Sequence, residues 1–200
     1  MKIELHCHTS RYSACAISTP SDMMKALIAA GYGATFITEH DAVWSAEEMD
    51  NLQREFPQIR IFPGVELALK GDTAEHLLVL GTRAAAYTKL PTTEEVLAKA
   101  RAEGCLTVLA HPFRWRGGDT MLQAGLLPDA IEHRTCNQGD DQAKIALETG
   151  RRLRLPIVNA DDAHSVEMVS QFWIETTADA ATVADVRRIV LEGIYRNCAK

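Results

Sequence analysis

The first eight residues of the chain contain two histidines separated by a single residue. Residues 2–8 have the composition of a short β-strand that ends in His6-Cys7-His8. Because side chains alternate across a strand, His6 and His8 point to one face and Cys7 points to the other. Two imidazoles at the end of a strand provide half of a metal site, so further ligands are expected elsewhere in the chain.

Other histidines and acids lie at comparable places. Seven candidate ligands lie at or just beyond the end of a predicted strand, and an eighth lies at a strand start. The seven are His6, His8, His40, Glu66, His111, Asp162 and His164, and the eighth is His76. Any one histidine is more often a surface or hydrogen-bonded core residue than a ligand. Imidazoles bind zinc, iron or manganese, and carboxylates can bridge two cations. Six histidines and two carboxylates exceed the needs of one tetrahedral ion, so the sequence predicts at least two metals.

Predicted strands and helices alternate along the chain, and this alternation must position the candidate ligands. Helices are predicted near residues 19–31, 45–55, 93–103, 140–153 and 181–191. Two apolar strand pieces, 59–62 and 65–67, are separated by Pro63-Gly64. The alternation predicts a parallel α/β arrangement, and apolar strands with polar ends favour a barrel with its site at the C-terminal ends of the strands. An open doubly wound sheet is the competing fold, but no glycine-rich turn follows the first strand.

Length and charge restrict the class of protein. Two hundred residues predict one domain over 1–200, and no linker or repeat interrupts it. The net charge of −6 disfavours general nucleic-acid binding and a membrane surface. The five cysteines are odd in number and scattered, with no Cys-x-x-Cys pair, no leader pattern and no bilayer-spanning run. These features predict the reducing cytoplasm.

Six motifs occur along the chain in a fixed order. They are His6-Cys7-His8-Thr9, residues 37–41 (ITEHD), residues 63–66 (PGVE), residues 76–81 (HLLVLG), residues 110–112 (AHP) and residues 162–164 (DAH). As an ordered set they resemble the PHP (polymerase and histidinol phosphatase) family over residues 1 to about 165. The resemblance implies a distorted (β/α)7 barrel, similar to a TIM barrel, with two or three divalent metal ions (zinc, manganese or iron) and phosphoester hydrolysis.

The resemblance also implies a ligand arrangement. His6 and His8 with Glu66 and Asp162 would hold one metal, and Glu66 would bridge to a second held with His76 and His111. His40 and His164 would belong to a third position. Many family members carry an Asp or His for this position shortly after the first motif, where this chain has Ser13-Ala14-Cys15. Ala14 cannot ligate, and Cys15 could in principle, although a loop cysteine is more often just a thiol. The third metal is therefore expected to be weakly held or absent, with His40 and His164 then contacting phosphate or water.

Basic residues near the predicted strand ends are candidates for substrate binding. Arg114 follows His111 by three residues, and Arg134 shares a strand face with Glu132 if the alternation continues. A guanidinium near the metals would pair with phosphate oxygens, although both arginines could equally be solvated loop charges. Glu132 is a candidate to orient a ligand histidine, whereas His133 faces the opposite way and is interpreted as structural.

The favoured hypothesis is a metal-dependent phosphoesterase. A metal-bound hydroxide, assisted by His40 and His164, would attack a small phosphomonoester such as a nucleotide or histidinol phosphate. Hydrolysis of a C–N or C–O bond is the alternative within enzymes. A non-catalytic metal-binding regulatory module is the alternative outside them, and it would explain the change at Ala14.

Overall fold

The computed structural model describes residues 1–69, 75–90 and 92–200, and this part of the chain contains nine strands and six α-helices. The strands are β1 Lys2–Glu4, β2 Tyr32–Ile37, β3 Arg60–Ala68, β4 His76–Leu80, β5 Leu106–Ala110, β6 Ala130–Glu132, β7 Ile157–Val158, β8 Phe172–Glu175 and β9 Arg196–Ala199. The helices are α1 Pro20–Ala29, α2 Ala46–Glu55, α3 Thr93–Glu103, α4 Thr120–Gln123, α5 Asp140–Leu153 and α6 Val183–Glu192.

All nine strands form one sheet in the order β7-β6-β5-β4-β3-β2-β1-β8-β9. Pairing is parallel except where β4 meets β3 and β5, and where β8 meets β1 and β9. Strands β4 and β8 therefore run against the other seven. The sheet curls into a nearly closed barrel, which confirms the predicted distorted (β/α)7 fold.

Side chains join the two edge strands of this barrel. Asn159, just after β7, donates its backbone N–H to Asn197 Oδ1 at 2.7 Å. The amide of Asn197 and the hydroxyl of Tyr195 both donate to the carbonyl of Ile157, at 2.7 and 2.8 Å. The gap between β7 and β9 is thus bridged by polar side chains instead of a backbone ladder.

Three sequence predictions are wrong in detail. The strands are not all parallel, and β9 was not predicted because its residues are polar and mostly exposed. The pieces 59–62 and 65–67 are one strand, β3, in which Pro63 and Gly64 mark a change of partner. Strand β3 pairs with β2 up to Pro63 and with β4 from Gly64 onward. Proline lacks the N–H that a continuous ladder would need, so it suits this crossing point.

The helices begin at the residues that the sequence favours. The hydroxyls of Thr19, Thr92 and Thr182 each accept a backbone N–H in the first turn of α1, α3 and α6. Ser45 and Glu48 form a reciprocal capping box at the start of α2. Gly104 ends α3 in the left-handed conformation. The helices pack on a barrel whose interior is filled by buried apolar residues, among them Ile3, Leu5, Phe36, Leu78, Val108 and Ile174.

Two observations concern the environment of the protein. In the described ranges, no helix combines the length and the apolar character needed to cross a lipid bilayer. The five cysteines are free thiols, and Cys7 and Cys105 are buried. The cytoplasmic location stays a prediction.

Candidate metal centre

The eight predicted ligands meet at one rim of the barrel. Six lie just beyond the C-terminal end of a strand that runs in the common direction, and Glu66 lies in the C-terminal half of β3, which runs the same way. His76 is instead the first residue of β4, and it reaches the same rim because β4 is antiparallel to its neighbours. Isolated β-bridges pair Cys7 with Ala163 and His40 with Glu66, and they hold the segments that carry the ligands beside one another at this rim.

Four of these residues converge on one point, and we call them the inner set: His6, His8, Glu66 and Asp162. The Nε2 atoms of His6 and His8 lie 2.9 Å apart. Each lies 3.1–3.2 Å from Glu66 Oε2 and 3.3 Å from Asp162 Oδ1. Four ligands bound tetrahedrally at about 2.0 Å lie roughly 3.3 Å from one another, so the inner set has the dimensions of a divalent metal site.

The donor chemistry of the inner set also fits a metal. Glu66 Oε2 and Asp162 Oδ1 are buried, and within the described part of the chain neither accepts a hydrogen bond of good geometry, although histidine nitrogens lie close to both. All four residues are at most 1% exposed. Buried carboxylates are costly unless they are paired or coordinate a cation. A divalent ion at this point would satisfy both oxygens.

Glu66 faces two groups of histidines with its two oxygens. Oε2 faces the inner set and also lies 3.0 Å from His40 Nδ1. Oε1 lies 2.8 Å from His76 Nδ1 and 3.0 Å from His111 Nε2. A carboxylate placed in this way could bridge two cations. His40 contacts the oxygen that faces the inner set and also clusters with Glu66 and His76, whereas the resemblance assigns it to a third position.

A second cluster, which we call the outer set, consists of His8, His40 and His164. The His8 ring stacks on those of His40 and His164, with centroids 4.4 and 4.2 Å apart. The outer set contains no carboxylate, and His40 and His164 are half-buried. It shares His8 with the inner set, so the two sets compete for one imidazole.

Hydrogen bonds behind the inner set fix the orientation of its histidines. His6 Nδ1–H donates to Glu132 Oε1 at 2.8 Å, so the other ring nitrogen, Nε2, faces the metal point, where a bound cation would displace its proton. Ser13 Oγ donates to Glu39 Oε2 at 2.5 Å and accepts from the backbone N–H of His40 at 3.1 Å. Because the proton of Ser13 is directed to Glu39, His8 Nδ1 must be the donor across its 3.1 Å contact with Ser13. Nε2 of His8 likewise faces the metal point.

Some of these supporting residues escaped the sequence analysis. Glu132 was a candidate for such a role, but Ser13, Glu39 and Asn137 were not. Glu39 is fully buried and accepts from Thr9, Ser13 and Trp44. The amide of Asn137 donates to Asp162 Oδ2 at 2.8 Å. The position of Glu39 just after β2 and directly before His40 was the only available signal, and nothing in the sequence spacing marks Ser13 or Asn137.

Strained backbone directs two ligands into the site. His111 has a φ of 26° and Asp162 a φ of 52°, in the region that non-glycine residues avoid. Such conformations cost on the order of 1–3 kcal/mol each and persist where surrounding structure holds them. The backbone N–H of His111 donates to Glu132 Oε2 at 2.6 Å, so Glu132 fixes both His6 and His111.

Charges inside the site shift its titration. Burial opposes a charge on His6, but the carboxylates of Asp162, Glu132 and Glu66 outweigh it and raise the pKa of His6 well above its ordinary value. Burial likewise opposes charge on Glu66, yet His6, His111 and His40 hold the pKa of Glu66 well below its usual range. Burial and the neighbouring His8 lower the pKa of His164 to about 4. Glu66 is thus ionised and His164 is neutral at pH 7.

The remaining candidates lie in different places. Arg114 reaches the site, with Nη1 3.8 Å from Asp162 Oδ2. Arg134 pairs with Asp140 at 2.9 Å and lies over the ring of Phe172. Strand β6 ends at Glu132, so strand alternation does not govern Arg134. Its role as a phosphate contact stays a prediction.

Comparison with known proteins identifies the family. A family model described as the PHP domain matches residues 4–105, just over half of the chain. The chain belongs to the PHP domain family. No curated protein matches it at a significant level.

Solved structures share the fold of this PHP domain. A two-domain protein from Bacteroides vulgatus, containing a predicted PHP-like metal-dependent phosphoesterase, aligns with 100% of the chain at 14% identity and a TM-score of 0.78. The chain spans 64% of the length of that protein. An amidohydrolase from Chromobacterium violaceum with bound sulfate aligns over 98% of both chains at 16% identity and a TM-score of 0.70. A lesion-specific endonuclease from Pyrococcus furiosus aligns with 98% of this chain and 57% of its own, at 14% identity and a TM-score of 0.69. At these identities the likeness concerns the fold.

Proposed function

We propose that the protein is a metal-dependent hydrolase that cleaves a small phosphomonoester. The observation that carries the proposal is the inner set, whose four donor atoms surround one point at metal-ligand spacing. The bridging position of Glu66 supports a second ion beside the first. When bound, such ions acidify water and neutralise phosphate oxygens.

Residues of the chain would hold the substrate beside the inner set. The side chain of Arg114 is 31% exposed beside Asp162, and a guanidinium in this position can pair with phosphate oxygens. His164 Nδ1–H donates to the carbonyl of Asp162 at 3.0 Å, so its Nε2 is free to accept a proton. His40, at the same half-exposed rim, is the second candidate to assist.

A small substrate fits the charge of the protein. The chain carries a net charge of −6, and a long nucleic acid would meet this charge along its whole backbone. A single phosphate would meet only the metals and Arg114.

Phosphate release would test the proposal. The protein is stripped of metal, reloaded with manganese, zinc or iron, and assayed with nucleotides, sugar phosphates and histidinol phosphate beside a His111→Ala variant. We expect phosphate release to require metal. It should fall at least ~100-fold in the variant, because His111→Ala removes a candidate metal ligand next to Glu66. A protein that binds two metals and releases no phosphate would instead support hydrolysis of a C–N or C–O bond, or a binding module.

A further inference from the structure

A tight turn places an arginine and a tryptophan over the metal centre. The turn spans His111 to Arg114, closed by a 3.1 Å hydrogen bond from Arg114 N–H to the carbonyl of His111. Pro112 occupies its second position, and Phe113 has a φ of 130° at its third. This conformation reverses the chain directly after β5, so that Arg114 and Trp115 return over the histidines.

Trp115 lies against two of the predicted ligands. Its ring centroid is 5.7 Å from that of His76 and 5.6 Å from that of His111, with interplanar angles of 62° and 83°. The guanidinium of Arg114 stacks over the indole at 4.2 Å. Despite these contacts, Trp115 is 43% exposed. A single exposed aromatic side chain is ordinary on a protein surface, but this one stands beside the site where a phosphate would bind.

We propose that Arg114 and Trp115 form a shelf that binds a planar aromatic group of the substrate, such as a nucleoside base or an imidazole. The inference rests on the proposed function, because the phosphate of the same molecule would bind at the inner set. Arg114 contacts both Asp162 and Trp115, so one side chain links the phosphate position to the aromatic position. A group joined to phosphorus through a sugar or a short chain would reach the exposed part of the indole.

The shelf predicts selectivity between two substrates with the same phosphoester linkage. AMP and ribose 5-phosphate both carry a primary 5′-phosphate, and they differ by the base. Stacking of a base on an aromatic side chain contributes about 1–3 kcal/mol, equivalent to roughly 5- to 150-fold. We expect kcat/KM to be at least ~5-fold higher for AMP than for ribose 5-phosphate.

Variants of the shelf provide the test. In Trp115→Ala the ratio of the two kcat/KM values should fall towards one, and Trp115→Phe should retain part of it. Tyr12→Ala serves as the matched control, because Tyr12 is 42% exposed and its hydroxyl donates to Glu48 rather than to the metal centre. Tyr12→Ala should leave the ratio unchanged. Equal hydrolysis of both substrates by the unaltered protein, or equal slowing of both by Trp115→Ala, would overturn the shelf.

A binding measurement separates failure of the shelf from failure of the proposed function. Absence of turnover with both substrates would reject phosphomonoester hydrolysis but would leave the shelf untouched. In that event, AMP should still quench tryptophan fluorescence of the metal-loaded protein more than ribose 5-phosphate does, and the difference should vanish in Trp115→Phe. Equal quenching by the two compounds would reject the shelf.

Discussion

The inner and outer sets differ in charge, burial and support. The inner set has two carboxylates, and its side chains are at most 1% exposed. Glu132, Ser13 and Asn137 hold its members by hydrogen bonds. The outer set has imidazoles only, and the side chains of His40 and His164 are 32% and 18% exposed. The motifs mark the members of both sets, but only the fold shows that the inner set combines two carboxylates with burial and orienting hydrogen bonds, and we therefore predict that it binds metal more tightly than the outer set.

The largest expected effect comes from a change inside the inner set. Asp162→Asn keeps the side-chain shape and can keep an oxygen towards Asn137, but it turns an NH2 group towards His6 and His8. We expect metal affinity and turnover to fall by at least ~100-fold, more than the loss of a supporting residue causes. Metal content after dialysis, measured by mass spectrometry, gives the result.

His133→Gln is the control for this prediction. It removes a half-buried histidine that belongs to neither set, so metal content should not change. If the Asp162→Asn protein kept its full metal content, the inner set would not be the tighter metal site.

A smaller effect is expected from a supporting residue. Ser13→Ala deletes the acceptor for His8 Nδ1–H and leaves the backbone N–H of His40 without its partner. Loss of such a contact typically lowers metal affinity by roughly 10- to 100-fold. Competition with a chelator measures this, and Ser10→Ala, an exposed serine on the same loop, is the matched control. An unchanged affinity would show that Glu39 and Ser13 order the loop without orienting His8.

The outer set can be strengthened where the chain departs from the family pattern. Ala14 is exposed and adjacent to Ser13, and Ala14→Asp would add the negative charge that the outer set lacks. We expect one additional metal per chain at saturating metal, with inner-set affinity unchanged. Ala124→Asp adds the same charge to an exposed position elsewhere and should add no metal. No gain in the Ala14→Asp protein would mean that sharing His8 prevents a third ion.

The smallest effect concerns the loop that carries Ser13 and Ala14. Glu48 accepts from Ser45, Arg11 and Tyr12, and these bonds lower the pKa of Glu48 from 4.5 to about 2. A carboxylate with a lowered pKa stabilises the folded state above its ordinary pKa, and this contribution is lost as pH falls from about 4.5 to about 2. Glu48→Gln should therefore lower the free energy of unfolding at pH 7 by less than about 1 kcal/mol, with a smaller difference at pH 3.

Urea unfolding at the two pH values measures this contribution. Glu47→Gln, on the same helix and exposed, should leave the pH dependence as it is. If the free energy of unfolding of Glu48→Gln depended on pH as it does in the unaltered protein, Arg11 and Tyr12 would not be held by this carboxylate.

Local signals account for the parts of the fold that the sequence predicted well. Helices α3 and α5 begin and end where predicted, because caps and apolar spacing act within a few residues. The reversal of β8 depends on its pairing with the distant strand β1, which no local pattern records. Strand β4 is instead separated from β3 by only seven residues, too few for a parallel crossover, so the short connection carried a signal for the reversal that brings His76 to the metal rim.

The candidate site shows the same division. Histidine and acid motifs identify the ligand positions, since few other roles favour those residue types at strand ends. The contacts of Ser13 with Glu39 and of Asn137 with Asp162 join segments 25 or more residues apart. Serine and asparagine are common in loops, so their types carry no signal until the fold brings them to the ligands.

The side-chain bridge between β7 and β9 gives the barrel a seam. A closed barrel has no edge, whereas here a few bonds from Asn159, Tyr195 and Asn197 hold the last gap. Opening this seam would break no backbone ladder, and we expect it to open more readily than a paired strand. Asp162 follows β7 by four residues, so such an opening would disturb a ligand of the inner set. We therefore expect the release of a bound ion to be coupled to local unfolding of the final strand.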